Sequence, residues 1–320
     1  MAEPTTTDTL GAAAAAAPAV ISVRGLRKRY GQIAAVDDIS FEVAPGTVFG
    51  MLGPNGAGKT TTVEIMEGLR EPDAGSITIL GLDALRHRQA IKQRIGISLQ
   101  SPARFPRLTV YEVLDLFASF YHHTVAPDTL VAQLGLEESR DKQTKVLSGG
   151  QQQRLSVALA LINEPEIVFL DEPTTGLDPQ ARINLWSVIE DVRSRGRTVF
   201  LTTHYLEEAE RLCDDVAIVD HGHLIALGSP RQLIAENFDE TAIIFRLSAP
   251  PLSALQGLAG VSHGTADGDE VTLYSRAVPE TMAALLAFAR GRGERLESLY
   301  VREPSLEDVF LKLTGSRLRD

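Results

Sequence analysis

The sequence predicts an α/β protein built on a largely parallel sheet, with a smaller α+β unit at its C-terminal end. Three observations carry this. Short apolar runs alternate with helix-length stretches from Val20 to about residue 236, the pattern of strands joined by crossover helices. One run, Thr47–Leu52, passes straight into a glycine-rich loop and then a helical stretch. Beyond residue 237 the order becomes strand, helix, strand, strand, helix, strand, followed by one more helix, as in small ferredoxin-like domains.

The elements follow in order. Residues 1–19 are rich in Ala and Thr and low in complexity, which predicts a disordered tail. Ile21–Val23, Ile39–Val43 and Thr47–Leu52 read as strands, with Pro45-Gly46 turning between the last two. Lys59–Leu69 reads as a helix, Glu71–Gly75 as a turn, and Ser76–Leu80 as a strand. Leu85–Gln93 is helical and Ile95–Leu99 is a buried-type strand. Val110–His122 has apolar residues at helical spacing. Ser148–Ile162 is a helix opening on a small-residue turn, and Ile167–Leu170 is an apolar strand ending in two acids. Arg182–Arg195 and Leu206–Cys213 read as helices around the strand Thr198–Thr202. Val216–Val219 and Leu224–Leu227 flank a His221-Gly222-His223 turn.

Gly228-Ser229-Pro230 and the polar stretch after it divide the chain into 20–236 and 237–320. The second part carries strands at Ala242–Leu247, Val261–Gly264, Glu270–Tyr274 and Leu296–Val301. Its helices are Pro251–Leu258, Pro279–Arg290 and Ser305–Leu313.

Composition excludes several classes. With 31 Lys and Arg against 42 Asp and Glu, the 320-residue chain carries a net charge of −11. That argues against nucleic acid as a partner, which calls for a basic surplus. The single cysteine, Cys213, rules out an intrachain disulfide framework and reads as a small buried hydrophobe in a reducing compartment. The long uncharged run 247–266 is broken by two prolines and three glycines, so no membrane span is expected. Glu3 and Asp8 stand where a signal peptide would be basic. His122-His123 and His221-Gly-His223 lack acid or Cys companions at metal spacing and read as solvated loops.

The chemistry starts at Gly53-Pro54-Asn55-Gly56-Ala57-Gly58-Lys59-Thr60, with Thr61 next. This is G-x-x-x-x-G-K-[ST] between a strand and a helix. Glycines let backbone N–H groups converge on phosphates, and the helix directs its positive end at the same charge. Lys59 reaches the β/γ-phosphates and the Thr60 hydroxyl is a Mg²⁺ ligand, so ATP and Mg²⁺ are the expected cofactors. A second site feature is Asp171-Glu172, closing the strand Ile167–Leu170 some 112 residues after Lys59. In a phosphate-loop enzyme the first acid supports Mg²⁺ and the second can polarise the attacking water. Neighbouring side chains on a strand point apart, so the two can take different jobs.

The third feature is Leu147-Ser148-Gly149-Gly150-Gln151, continued by Gln152-Gln153-Arg154. A Ser-Gly-Gly turn at a helix start is another phosphate grip. One loop already serves one nucleotide, so a second grip points to the nucleotide of a second chain. Over about residues 20–236, in this motif order, the sequence resembles the ATP-binding subunits of ABC transporters. The resemblance implies a P-loop NTPase core of ABC ATPase type, with antiparallel additions and a helical subdomain. It implies that Tyr30, in Lys-Arg-Tyr-Gly, stacks on adenine. Gln100 would lie near Mg²⁺ and the attacking water. Ser148, Gly149 and Gly150 would clamp the γ-phosphate held by the partner. Asp178, in Thr-Gly-Leu-Asp, would cross the dimer seam, and His204 would contact the γ-phosphate.

Arg104–Glu112 and Glu303–Phe310 resemble a narrower group, the separate-chain ATPases of ABC-2-type exporters, including daunorubicin-resistance-like ones. That implies a homodimer that hydrolyses ATP to drive drug, antibiotic or other hydrophobic-compound efflux through a separate integral-membrane permease. The chain would be cytoplasmic, peripheral on the inner face of the membrane, docking through the helix-rich region after Gln100. The alternative is a non-transport ABC-type ATPase of DNA repair or the ribosome. The former normally splits the head with a long coiled coil, and no sustained heptads lie between Lys59 and Asp171; the latter usually carries two heads in one chain, and each motif occurs once. A P-loop kinase has no use for the Leu147–Gln151 turn.

Overall fold

The computed structural model describes residues 18–98, 105–248 and 251–315. Most of the expected tail, and Gln100, lie outside them. The chain opens with a hairpin of β1 (Ile21–Tyr30) and β2 (Ile33–Val43), then β3 (Val48–Leu52) and α1 (Lys59–Met66). Next come β4 (Ala74–Ile79), β5 (Leu82–Asp83), α2 (Arg88–Lys92) and β6 (Ile95–Ser98). Helices α3 (Val110–Ala118), α4 (Pro127–Gln133) and α5 (Gly149–Leu161) lead to β7 (Ile167–Asp171). Then follow α6 (Pro179–Ser194), β8 (Thr198–Thr203), α7 (Leu206–Leu212), β9 (Asp215–Asp220), β10 (His223–Gly228) and α8 (Pro230–Asn237). The C-terminal part holds β11 (Thr241–Arg246), α9 (Leu252–Gln256), β12 (Val261–Asp267), β13 (Glu270–Ser275), α10 (Val278–Arg292), β14 (Glu297–Arg302) and α11 (Leu306–Thr314).

A six-stranded sheet in the order β10-β9-β3-β8-β7-β6 forms the centre, parallel except for β10. Every residue of β3, β7 and β8 is buried. That is why they read as unbroken apolar runs rather than alternating ones. One face packs on the antiparallel sheet β2-β1-β4-β5. Phe41, Phe49, Phe200 and Phe169 stack across that seam, with ring centroids 5.2–5.7 Å apart from one ring to the next. The other face is covered by α3, α5, α6 and α7.

β1 runs to Tyr30, well past the expected Val23. Its pairing with β2 shifts between Val23 and Leu26, where Gly25 takes φ 57°. The bulge breaks the alternation that marks a strand in sequence. α6 likewise starts earlier than expected, at Pro179, because Asp178 caps it.

The last four strands form a separate antiparallel sheet, β12-β13-β11-β14, with its own core of Ile243, Phe245, Val271, Leu273 and Leu285. Helix α11, expected to complete that unit, instead packs on α7 and α8. Leu306, Val309 and Phe310 are fully buried in the same core as α5, α6 and α7. The Glu210 carboxylate of α7 accepts the Leu306 N–H at 3.1 Å, and Lys312 Nζ donates to the Asn237 carbonyl at 2.6 Å.

Candidate functional site

Parallel register aligns the carboxyl ends of three central strands. Leu52 of β3 pairs with Thr203 of β8, and Asp171 of β7 pairs with Thr202. Ligands of open parallel sheets bind beyond such ends, and the residues singled out by sequence leave the sheet here.

The 53–58 loop joins β3 to α1. Gly58 has φ 103°, and a Cβ there would lie 2.2 Å from the Ala35 carbonyl oxygen. Gly53 is equally confined, its virtual Cβ 2.2 Å from the Val219 carbonyl oxygen. Glycine is therefore required both for backbone shape and for contact with β2 and β9. Lys59 is 5% exposed, and its Nζ donates to the Gly53 and Pro54 carbonyls at 2.6 and 3.2 Å. Burial pulls its pKa below the ordinary lysine value, and the Glu172 and Asp171 carboxylates pull it back up. An ammonium held only by carbonyl oxygens has no anion bonded to it and can move to phosphate. Asn55 and Thr60 are exposed at the loop and helix start.

Asp171 ends β7 buried, accepting a hydrogen bond from the Thr202 hydroxyl. Burial raises its pKa, Thr202 opposes that, Glu172 raises it further, and Lys59 lowers it. Such a carboxylate gains from a cation. Glu172 follows with φ 46°, a left-handed conformation uncommon outside glycine. The Thr202 hydroxyl and carbonyl hold its N–H at 3.0 and 3.2 Å. Glu172 accepts from Thr175 Oγ1 at 3.3 Å and stands 3.4 Å from His204 Nδ1. Behind the loop, Glu67 is 4% exposed, and burial, with Asp171 and Glu64 adding to it, lifts its carboxyl to about 8.

The structure thus brings Lys59, Asp171, Glu172 and His204 to one sheet edge. Ser148 and its turn are bonded to their own helix. Its hydroxyl caps α5 by accepting the Gln151 N–H, and Gln151 Oε1 accepts the Ser148 N–H. Gly150 packs on Leu177, whose Cδ2 would lie 3.3 Å from an added Cβ. The Ser148 turn and the segment leading to Asp178 are therefore neighbours. Asp178 is exposed and accepts the Ala181 N–H at 2.9 Å as the α6 cap. Tyr30, 41% exposed, accepts from Arg70 at 3.0 Å and has the Lys28 and Arg70 cations 5.7 and 5.6 Å from its ring.

Sequence reading missed Thr202, Thr175 and Glu67. Thr202 lies one residue inside a strand and becomes functional only through its register with Asp171, which no local pattern encodes. Glu67 closes the C-terminal end of α1 after Ile65 and Met66, and an acid next to those apolar residues is its one signal. For Mg²⁺, a hydroxyl and a carboxylate suit a hard cation that takes its remaining oxygens from phosphate and water. Among the described residues no three His, Cys, Asp or Glu side chains group as a cage.

Known proteins share both sequence and fold with this chain. The ABC transporter family model matches residues 36–175, and an AAA domain model (putative AbiEii toxin, type IV toxin–antitoxin system) matches 143–208. The Nod factor export ATP-binding protein I of Ralstonia nicotianae is 39% identical over 309 residues, covering 94% of this chain and 95% of that one. The daunorubicin resistance ATP-binding protein DrrA3 of Streptomyces coeruleorubidus is 40% identical over 311 residues, covering 95% and 98%. An ATP-binding subunit of an ABC transporter superposes with a TM-score of 0.63 at 29% identity, over 68% of this chain and 92% of its own. A dimeric ATP-binding cassette bound to ADP and Pi shares the fold, with a TM-score of 0.61 at 24% identity, over 65% and 98%. The chain belongs to the ABC transporter family, as one of its ATP-binding, ATP-hydrolysing subunits.

Proposed function

We propose that two copies of this chain close head to tail on two ATP molecules and drive efflux of a drug, antibiotic or other hydrophobic compound through a separate membrane permease. The observation that carries this is the division of the site. Lys59, Asp171, Glu172 and His204 converge, while the Ser148 turn, the second phosphate grip, is spent on its own helix in the same chain. A second chain supplies the missing half, in a self-complementary contact. The two relatives named for Nod factor export and daunorubicin resistance support the export reading. No helix among the described residues is long and apolar enough to cross a membrane, and the transmembrane path is assigned to the permease. Phe120, 61% exposed and edge-to-face on Phe117, supports docking through the region after Gln100. The chain then sits on the cytoplasmic face of the membrane, and residues 237–320 act as an α+β unit clasped to the ATPase through α11.

In this reading Lys59 Nζ exchanges two carbonyls for β/γ-phosphate oxygens, while the loop N–H groups from Gly53 to Thr61 cradle the phosphates. Thr60, Asp171 and Gln100 would hold Mg²⁺, which would supply charge neutralisation of the phosphates. Tyr30 stacks on adenine. Glu172 accepts the proton of a water as its oxygen bonds to the γ-phosphorus, the bond to the bridging oxygen of ADP breaks, and phosphate leaves. His204 donates to the γ-phosphate. Ser148, Gly149 and Gly150, held in place by Gln151, meet the partner's γ-phosphate, and Asp178 lies at the seam.

Complementation tests it. Lys59→Ala and Ser148→Arg chains should each be inactive alone, since every site then lacks one half. Mixed, their heterodimers hold one intact site, so about a quarter of wild-type turnover should return. A mixture as inactive as its parents would place the whole site within one chain.

A further inference from the structure

His204 touches both an acid, Glu172, at 3.4 Å and an aromatic ring, that of Tyr205. The imidazole and the Tyr205 ring lie with centroids 4.2 Å apart and 42° between planes. The Arg182 guanidinium lies over the Tyr205 ring, 4.6 Å from its centre, a cation–π distance. Tyr205 is pinned locally, its N–H donating to Thr203 Oγ1 at 2.9 Å. Arg182 belongs to the first turn of α6, and its N–H donates to the Asp178 carbonyl at 3.0 Å. Further along the same two helices, Trp186 Nε1 donates to the buried Glu208 carboxylate at 2.9 Å, fixing α6 against α7. A continuous chain of contacts therefore runs from Asp178 through Arg182 and Tyr205 to His204 and Glu172.

We infer that Tyr205 is a positioning residue that holds His204 against Glu172 through its ring, and that Arg182 links this stack to the Asp178 cap. The inference rests on the proposed roles of His204 and Asp178. Phenol chemistry plays no part: the ring face does the holding, so phenylalanine should serve as well as tyrosine. A β-branched or small residue leaves the imidazole free to rotate about its side-chain bonds. Hydrolysis then loses an oriented donor while the nucleotide loop and Tyr30 still bind ATP. Arg182 acts one step further away and its removal should weigh less.

The test is steady-state ATP hydrolysis by the full chain, with melting temperatures measured beside it. Tyr205→Ala should lower kcat about tenfold or more and leave the KM for ATP within about twofold. Tyr205→Phe should restore kcat to within about twofold of wild type. Arg182→Ala should lower kcat about threefold, and Arg182→Lys should recover most of it. In a His204→Ala background, Tyr205→Ala should change the residual rate less than twofold, because residues acting through one another are not additive. A structural effect on the fold would instead add in both backgrounds. Wild-type kcat in Tyr205→Ala, a Tyr205→Phe enzyme as slow as the alanine variant, or a change in KM alone would overturn the inference. A fully active His204→Ala enzyme would overturn the parent reading and this one with it, whereas an inactive His204→Ala beside a normal Tyr205→Ala would overturn this one alone.

Discussion

The edge where β3, β7 and β8 end and the seam where α11 meets α7 and α8 solve opposite problems. The first collects charge. Lys59 and Asp171 are buried there, Glu67 is buried at the C-terminal end of α1, and burial works against the charged form of each. Glu172 adds a left-handed backbone, worth on the order of 1–3 kcal/mol of strain. The second collects apolar area: Leu306, Val309 and Phe310 are fully buried, and the charged groups there sit at the rim, Glu210 on an amide and Lys312 on a carbonyl. Burial of charge at the first edge is unfavourable on its own, and packing elsewhere offsets that cost. The seam also joins the C-terminal unit to α7, the helix that begins just after His204.

The largest stability effect should come from breaking the seam. Phe310→Ala should destabilise the chain by about 3–5 kcal/mol in denaturant unfolding, through lost burial and the cavity left behind. The KM for ATP should stay within about twofold. Cutting the chain after Glu236 should do more harm still, because it uncovers α7 and α8. An unchanged unfolding midpoint in Phe310→Ala would mean that α11 is a loose appendage.

A smaller effect of opposite sign should come from removing charge at the site. The folded chain holds a proton on Glu67 up to about pH 8, whereas the unfolded chain releases it near 4.5. Between those values the unfolded state binds fewer protons, so stability falls as pH rises and the loss is complete above about pH 8. Glu67→Gln removes that loss. Without nucleotide it should match wild type at pH 5 and exceed it by about 2–3 kcal/mol at pH 9. A variant less stable than wild type at pH 9 would contradict the charge-loaded picture of this edge.

The two regions also differ in how far the sequence reveals them. The 53–60 loop is legible because its function is its backbone, and backbone shape is written in glycines. Strands β3, β7 and β8 are legible because burial on both faces leaves continuous apolar runs. The Asp171–Thr202 bond is not, since it depends on which strand lies beside β7. α11 shows the same limit: Leu306, Val309 and Phe310 mark an apolar face, but an amphipathic face does not name its partner. At the start of α11 the Ser305 and Asp308 side chains bond each other's backbone N–H in a capping box. Helix α4 is short and opens on Pro127, too brief for its periodicity to register.

The account turns on Glu172 as the base of a two-chain site. Light scattering of the Glu172→Gln chain with Mg²⁺ and ATP, alongside ATP turnover, tests this most directly. Glutamine keeps the shape but cannot take the proton, so turnover should fall by about 10²–10⁴-fold, and unhydrolysed ATP should hold a species of twice 34.6 kDa. Near-wild-type turnover, or a chain that stays at 34.6 kDa with ATP bound, would contradict it.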